Sequence, residues 1–292
     1  MKKILVISGK GGTGKTFLTA SLAVLAKNKV MVDCDVDAAN LYLLLHPDIK
    51  KTEVFEGGYE AEINQDNCIK CGKCLTVCRF EAIRVIKDKK GCAEKIFIDP
   101  FSCEGCGACR YGCPVEAIEL KKKESGRWFI SDTKYGPFVF AKLGVAAENS
   151  GKLVSKIKEE AHKIAEKQKS KYIIIDGPPG IGCPVIASMS GVDLALVVTE
   201  PTLSGISDMK RVIQVAEHFG VETKVVINKY DINPENSADI EKMCGEENIE
   251  IAGYIPFSPE VVRSIVQSVP YIEFFGDGTV SKQIKNIWSK IS

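Results

Sequence analysis

Charge of one sign is missing from this chain. Its 292 residues carry 39 Lys and Arg against 38 Asp and Glu, a formal net charge of +1. No strong field draws it to nucleic acid or to an anionic surface, so no nucleic-acid partner and no membrane contact are expected. A long apolar run is missing too. The opening MKKILVISGKGG offers only about five apolar residues before a glycine loop, shorter than the apolar core of a signal peptide. No stretch is long enough to span a bilayer. A cytoplasmic, reducing setting is therefore expected, and there the 12 cysteines argue for metal ligation rather than disulfides. Hydrophobic residues make up 45%, enough for a sizeable core, and the length suits one large domain with a small one.

What is present has a clear order. Residues 4–8 (ILVIS) read as a buried strand, followed by a glycine loop and a helix over 15–27. A second strand (30–34) and a helical stretch (38–45) follow. The pattern changes near Gly57–Gly58 and stays loop-like, with short strands and cysteines, to about Lys123. Strands then return at 172–176, 194–199, 224–228 and 251–255, separated by helices over 151–168, 205–219 and 236–247, with two more helices at the end. Buried strands alternating with helices predict an α/β fold: a doubly wound, mostly parallel sheet covered on both faces. The expected domains are 1–56 with 126–292 for the sheet, and 57–125 for a small α+β insertion.

The insertion carries a repeat. NCIKCGKCLTVCRFEAI (67–83) and SCEGCGACRYGCPVEAI (102–118) share cysteine spacings of three, three and four. This is the spacing of bacterial two-cluster ferredoxins, in which the fourth cysteine of each run ligates the other cluster. One [4Fe-4S] cluster is expected on Cys68, Cys71, Cys74 and Cys113, and a second on Cys103, Cys106, Cys109 and Cys78. Zinc sites usually separate two C-x-x-C pairs by a longer span. Arg79 stands where the second repeat has Pro114, and an arginine there is expected to raise the second cluster's potential. Cys92 falls outside the pattern and reads as structural or exposed, Cys34 as a small buried residue. Cys244 sits in a predicted helix with no partner in view.

The glycine loop is the second motif. Gly9-Lys10-Gly11-Gly12-Thr13-Gly14-Lys15-Thr16 fits G-x-x-x-x-G-K-[ST] between a strand and a helix. Its backbone N–H groups are expected to converge on phosphate oxygens at the positive end of the helix. Lys15 should reach the β- and γ-phosphates, and Thr16 should ligate Mg2+. Asp176 ends an apolar strand, where a Walker-B aspartate would help hold that metal.

Lys10, a second lysine inside the loop, has no task in an ordinary phosphate loop. With K-G-G-x-G-K-[ST], the chain resembles the MinD/ParA/Mrp/nitrogenase-iron-protein group of deviant-Walker ATPases, and over its whole length the members with an inserted ferredoxin domain. The resemblance implies that Lys10 reaches across an ATP-dependent homodimer to the partner's nucleotide. VDCDVDAANL (32–41) matches the group's switch I, which gives Asp35 the attacking water and Asp33 a supporting role at the metal; Asp37 fits neither. DGPPG (176–180) matches switch II. Asn228 falls where the group recognises the base, with further base contacts from IPFSPE (255–260), including Pro256. Asn228-Lys229-Tyr230-Asp231 also reads as the guanine-specific N-K-x-D, whereas the deviant loop argues for adenine. Cys183 lies seven residues beyond Asp176, the offset of a cluster-bridging cysteine in the nitrogenase iron protein. With no second such cysteine evident, a packed thiol is the expectation.

The functional expectation is a redox ATPase that binds ATP, Mg2+ and two [4Fe-4S] clusters. It would couple nucleotide-driven pairing to electron transfer with a redox partner protein. Two alternatives stand beside it. An iron–sulfur carrier of the Mrp type would hold a labile cluster on a C-x-x-C near the carboxyl end, and none follows Cys113. A MinD-like positioning ATPase would use the clusters as sensors. The tail SKQIKNIWSKIS gathers Ile284, Ile287, Trp288 and Ile291 on one face, which is expected to pack on the sheet.

Overall fold

The computed structural model describes residues 1–91, 93–144 and 150–292; Cys92 lies outside them. The chain begins with β1 (Lys2–Ser8), α1 (Lys15–Leu25), β2 (Lys29–Asp33) and α2 (Leu41–Leu45). Next come β3 (Asp48–Ile63), α3 (Lys73–Val77), β4 (Ile83–Lys87), β5 (Ala93–Ile98), α4 (Ala108–Tyr111), β6 (Ile118–Thr133) and β7 (Gly136–Leu143). The rest is α5 (Ser150–Gln168), β8 (Tyr172–Pro179), α6 (Cys183–Met189), β9 (Leu194–Thr199), α7 (Leu203–His218), β10 (Glu222–Asn228), α8 (Pro234–Glu246), β11 (Glu250–Ile255), α9 (Pro259–Val266), α10 (Tyr271–Phe274) and α11 (Thr279–Ile291).

The chain divides into two compact units. One comprises Met1–Glu53, Arg127–Leu143 and Ser150–Ser292; the other is Val54–Gly126 with the segment that starts at Gly144. A nine-stranded sheet runs in the order β11-β10-β9-β1-β8-β2-β7-β6-β3. β1 pairs parallel with β8 and β9, β2 with β8 and β7, and β10 with β9 and β11. The apolar runs predict the central strands because these are buried on both faces: every residue of β2 and β9 is buried. Strand order moves outward from β1 in both directions, which opens a crevice at its carboxyl end. Asp33 and Asp176 face each other in register at the carboxyl ends of β2 and β8.

Three strands were not legible in the alternation. β3, β6 and β7 extend the sheet beyond β2; loops and short strands were expected over 57–123, and no strand was expected over 136–143. β3 ends the sheet and is exposed over most of its first half, so no apolar run betrays it; Lys50, Lys51, Glu53 and Glu56 on it are the charges that discourage edge pairing. The predicted helix over 38–45 shortens to Leu41–Leu45, and the two terminal helices are three. In α11, Ile284, Ile287 and Ile291 are fully buried, and Trp288 packs edge-on to Tyr172 with ring centroids 5.1 Å apart. No described helix is long and apolar enough to cross a membrane.

The smaller unit has a core of its own. Ala61, Ile63, Cys74, Ile83, Ile96, Cys109 and Ile118 are its buried centre, with Cys68, Cys78, Cys103 and Cys113 packed against it. Its two halves repeat the backbone. Lys70, Gly72 and Glu81 have φ of 56°, 76° and 52°, and Gly105, Gly107 and Glu116, thirty-five residues on, have 61°, 79° and 50°. Asn64 N donates to Ala117 O at 2.8 Å, and the equivalent Asp99 N donates to Ala82 O at 2.8 Å. Each half therefore closes on the other.

Candidate functional site: a phosphate loop and two cysteine-lined cavities

The loop Gly9–Thr16 leaves the carboxyl end of β1 and turns into α1. Gly14 caps that helix at φ 97°, and a β-carbon there would lie 2.4 Å from the Asn228 amide nitrogen. Only glycine fits both demands. No acidic side chain occupies the first turn of α1, so its positive end stays available for an anion. Lys15 is buried beneath the loop.

Asp176 is fully buried, and its two carboxylate oxygens accept from Thr16 Oγ1 at 2.7 Å and Thr19 Oγ1 at 2.8 Å. Burial pushes its carboxyl up to about 6, against the hydrogen bond from Thr16 and the charge of Lys15. Asp33, also fully buried, lies well above the ordinary carboxylate range because of burial and the neighbouring Asp176. Its oxygens accept from the backbone N–H groups of Asp35 at 3.0 Å and Leu41 at 3.1 Å. Asp33 thus pins the switch I turn at both ends. Asp35 is partly buried; desolvation raises its carboxyl, and Lys15 pulls the other way. Asp37 is exposed. Thr16, Lys15, Asp33, Asp35 and Asp176 are drawn together at the carboxyl ends of β1, β2 and β8.

Lys10 has partners the sequence did not reveal. Its ammonium pairs with Glu200 at 2.7 Å and donates to Thr202 Oγ1 and Ser204 Oγ, each at 3.1 Å. Lys229 reaches the other Glu200 oxygen at 3.0 Å. Burial alone would raise Glu200, but the hydrogen bonds from Lys10 and Lys229 hold it below its ordinary value. A usable signal was present: Glu200 directly follows the apolar run of β9, at the strand end where ligands gather.

Asn228 is buried. Its Nδ2 donates to Thr13 O at 2.7 Å, and its Oδ1 accepts from Lys229 N at 3.0 Å. It braces the phosphate loop, so both polar ends of the amide already have protein partners. Asp231 Oδ1 accepts from Phe257 N at 2.7 Å and ties down the segment that contains Pro256. Pro256 lines a surface recess with Phe257, Ser258, Glu260 and Arg263.

In the smaller unit, Cys68, Cys71, Cys74 and Cys113 line one cavity of about 20 Å³. Cys78, Cys103, Cys106 and Cys109 line another of the same size. Ala117 N donates to Cys113 Sγ at 3.3 Å. Burial raises the thiols of Cys74 and Cys109, opposed in part by backbone N–H groups. Among the described residues no three His, Cys, Asp or Glu converge closely enough for a single metal ion. Arg79 is exposed and does not line the Cys78 cavity, contrary to the expectation that it sits by the second cluster. Cys34 and Cys244 are buried, Cys244 in α8. Cys183, expected to be packed, is exposed instead, because α6 starts there directly after switch II.

A model of the CobQ/CobB/MinD/ParA nucleotide binding domain matches residues 4–271. The chain belongs to this family. The uncharacterized protein MJ0578 of Methanocaldococcus jannaschii is 41% identical over 295 residues, covering 99% of this chain and 96% of that protein. The septum site-determining protein MinD of Bacillus subtilis is 25% identical over 89% of this chain and 78% of its own length. MinD of Pyrococcus horikoshii, solved in complex with Mg-ADP, shares the fold with a TM-score of 0.57 at 18% identity, covering 100% of this chain and 96% of that one. The chain therefore carries a MinD/ParA-type P-loop nucleotide-binding domain.

Proposed function

We propose that this member of the MinD/ParA family hydrolyses ATP and couples nucleotide-driven pairing of two copies to electron transfer through two [4Fe-4S] clusters. One observation carries the reading. A chain with a deviant phosphate loop also holds two separate cavities, each ringed by four cysteines drawn from both halves of a 35-residue repeat. Thiols spread around a cavity suit a four-cornered cubane better than a single ion. The cysteines are also much of the smaller unit's core, so the unit depends on whatever they hold.

At the nucleotide, Lys15 neutralises the β- and γ-phosphates while the loop N–H groups orient them. Thr16 and Asp176 would hold Mg2+, which supplies charge neutralisation at the phosphates; Thr16 gives up its hydrogen bond to Asp176 for it. Asp35 positions the attacking water. Lys10 leaves Glu200 to reach the partner's nucleotide, so the charge that completes the site arrives only with the second copy. Asn228 and Pro256 border the base. At the cavities, Cys68, Cys71, Cys74 and Cys113, and Cys103, Cys106, Cys109 and Cys78, would hold the two clusters, which supply one-electron storage. The domain assignment, 57–125 inserted between 1–56 and 126–292, is part of this reading. α2 and the long strand β3 connect switch I to the cysteines along the chain.

The test is iron content and redox response. Protein purified without oxygen should hold about eight irons per chain, four for each cubane. Its reduced EPR signal or reoxidation rate should change with bound nucleotide, and its iron should stay in place through many turnovers. Iron near four after full reconstitution, or stoichiometric zinc, rejects the two-cluster reading. ATP-dependent transfer of labelled iron to an apo-ferredoxin, with a nucleotide-insensitive redox signal, favours a carrier.

A further inference from the structure

The two cavities are matched in backbone but not in charge. Equivalent positions lie thirty-five residues apart, as the paired left-handed residues and the reciprocal Asn64–Ala117 and Asp99–Ala82 bonds establish. The Cys68 cavity is lined by Ile69, Lys70 and Lys73. The corresponding residues of the Cys78 cavity are Glu104, Gly105 and Ala108. Two cations on one side thus face one carboxylate on the other. Lys70, Lys73 and Glu104 are exposed at the rims of the cavities they line, whereas Arg79 and Arg110, the remaining cations beside cysteines of the second set, line neither cavity.

Position 70 adds a second observation. Its φ of 56° lies in the left-handed region, where a side chain costs energy and glycine does not. Its twin, at φ 61°, is Gly105, whose β-carbon would lie 2.0 Å from Tyr59 O. The first half leaves room for a side chain at this strained position and fills it with a lysine at the cavity wall.

We propose that Lys70 and Lys73 make the Cys68–Cys71–Cys74–Cys113 site the higher-potential of the two, so that a single electron on this unit rests there. The inference depends on the reading of both cavities as cluster sites. Reduction adds one negative charge to a four-thiolate centre that is already anionic. Lysines at its wall stabilise that extra charge, and Glu104 opposes it at the other centre. The exchange is internal and balanced: one centre loses an electron, the other gains it, and no proton or further reactant is needed. Lys70 and Lys73 tune the site without ligating it.

The experiment is a redox titration of the anaerobically purified full chain, with dithionite as reductant. EPR reads the potentials, and hyperfine-shifted cysteine β-proton resonances assign the site. At half reduction the shifts should fall on Cys68, Cys71, Cys74 and Cys113. In Lys70→Gly/Lys73→Ala, the residues of the other cavity, the preference should weaken by about tenfold, about 59 mV for one electron. Glu104→Gln should raise the lower potential and leave the higher one in place. Lys70→Gly removes a strained side chain, so the variant should fold, and its iron content reports that directly. Iron short of two cubanes in the parent overturns the cluster reading and this inference with it. Two full clusters with the electron on the Cys78 set, or shared equally, overturn this inference alone. So does a lysine variant that shifts only the lower potential.

Discussion

Removing Glu200 should tighten the ATP-dependent dimer. The Lys10 ammonium cannot hold Glu200 of its own chain and also reach a partner's nucleotide, so pairing two copies breaks this contact in each. The ion pair is 2.7 Å long, with the lysine and glutamate side chains 27% and 17% exposed. Shielding places it near the top of the range for surface pairs, about 1 kcal/mol. Glu200→Gln removes that competition, worth about fivefold per copy, or about 30-fold in the dimer dissociation constant when both copies change. The substitution keeps an oxygen that can accept from Lys229, so the brace beside the phosphate loop survives. The assay is sedimentation equilibrium with Mg-ATP in an Asp35→Asn background, which slows hydrolysis. Lys10→Ala should abolish pairing with or without the Glu200 change. An unchanged or weakened dimer in Glu200→Gln would refute the view that Lys10 is held in reserve.

The same pair makes a pH prediction. Glu200 is held below its ordinary value, so its contribution to stability is fully present above the unfolded glutamate value of about 4.3 and is lost as pH falls through the lowered folded value. The gap in unfolding free energy between parent and Glu200→Gln should be constant from pH 7 to 5 and shrink below about 4. Gly105→Ala should strip iron from the smaller unit: its left-handed backbone costs about 1–2 kcal/mol before the clash with Tyr59 O is counted. Iron analysis of the purified variant checks this, and retention of eight irons would contradict it. Asn228→Ala removes the donor to Thr13 O and should cost about 1–3 kcal/mol at the phosphate loop, lowering nucleotide affinity about tenfold or more while circular dichroism stays native. Unchanged affinity by calorimetry would show that the loop holds its shape without it.

Some features follow from sequence because their physics is local. The phosphate loop needs glycines, Lys15 and Thr16 at fixed offsets, and all fall within eight residues of a buried strand. The cysteine spacing is local in each run, and the repeat itself implied the exchange of Cys78 and Cys113 between sets. The strands β1, β2, β8, β9 and β10 were legible because burial on both faces leaves apolar runs along them, whereas β11 ends the sheet and is only partly buried. Tertiary structure alone decided the rest. β3 shows no apolar run because it ends the sheet and leaves much of its length in water. Lys10 meets Glu200 across 190 positions of sequence, and Asn228 meets Thr13 across 215, distances over which no periodicity carries information. Cys183 looked like a packed thiol, but whether a residue at the start of a helix is covered depends on what the rest of the chain lays over it, and the structure leaves it exposed.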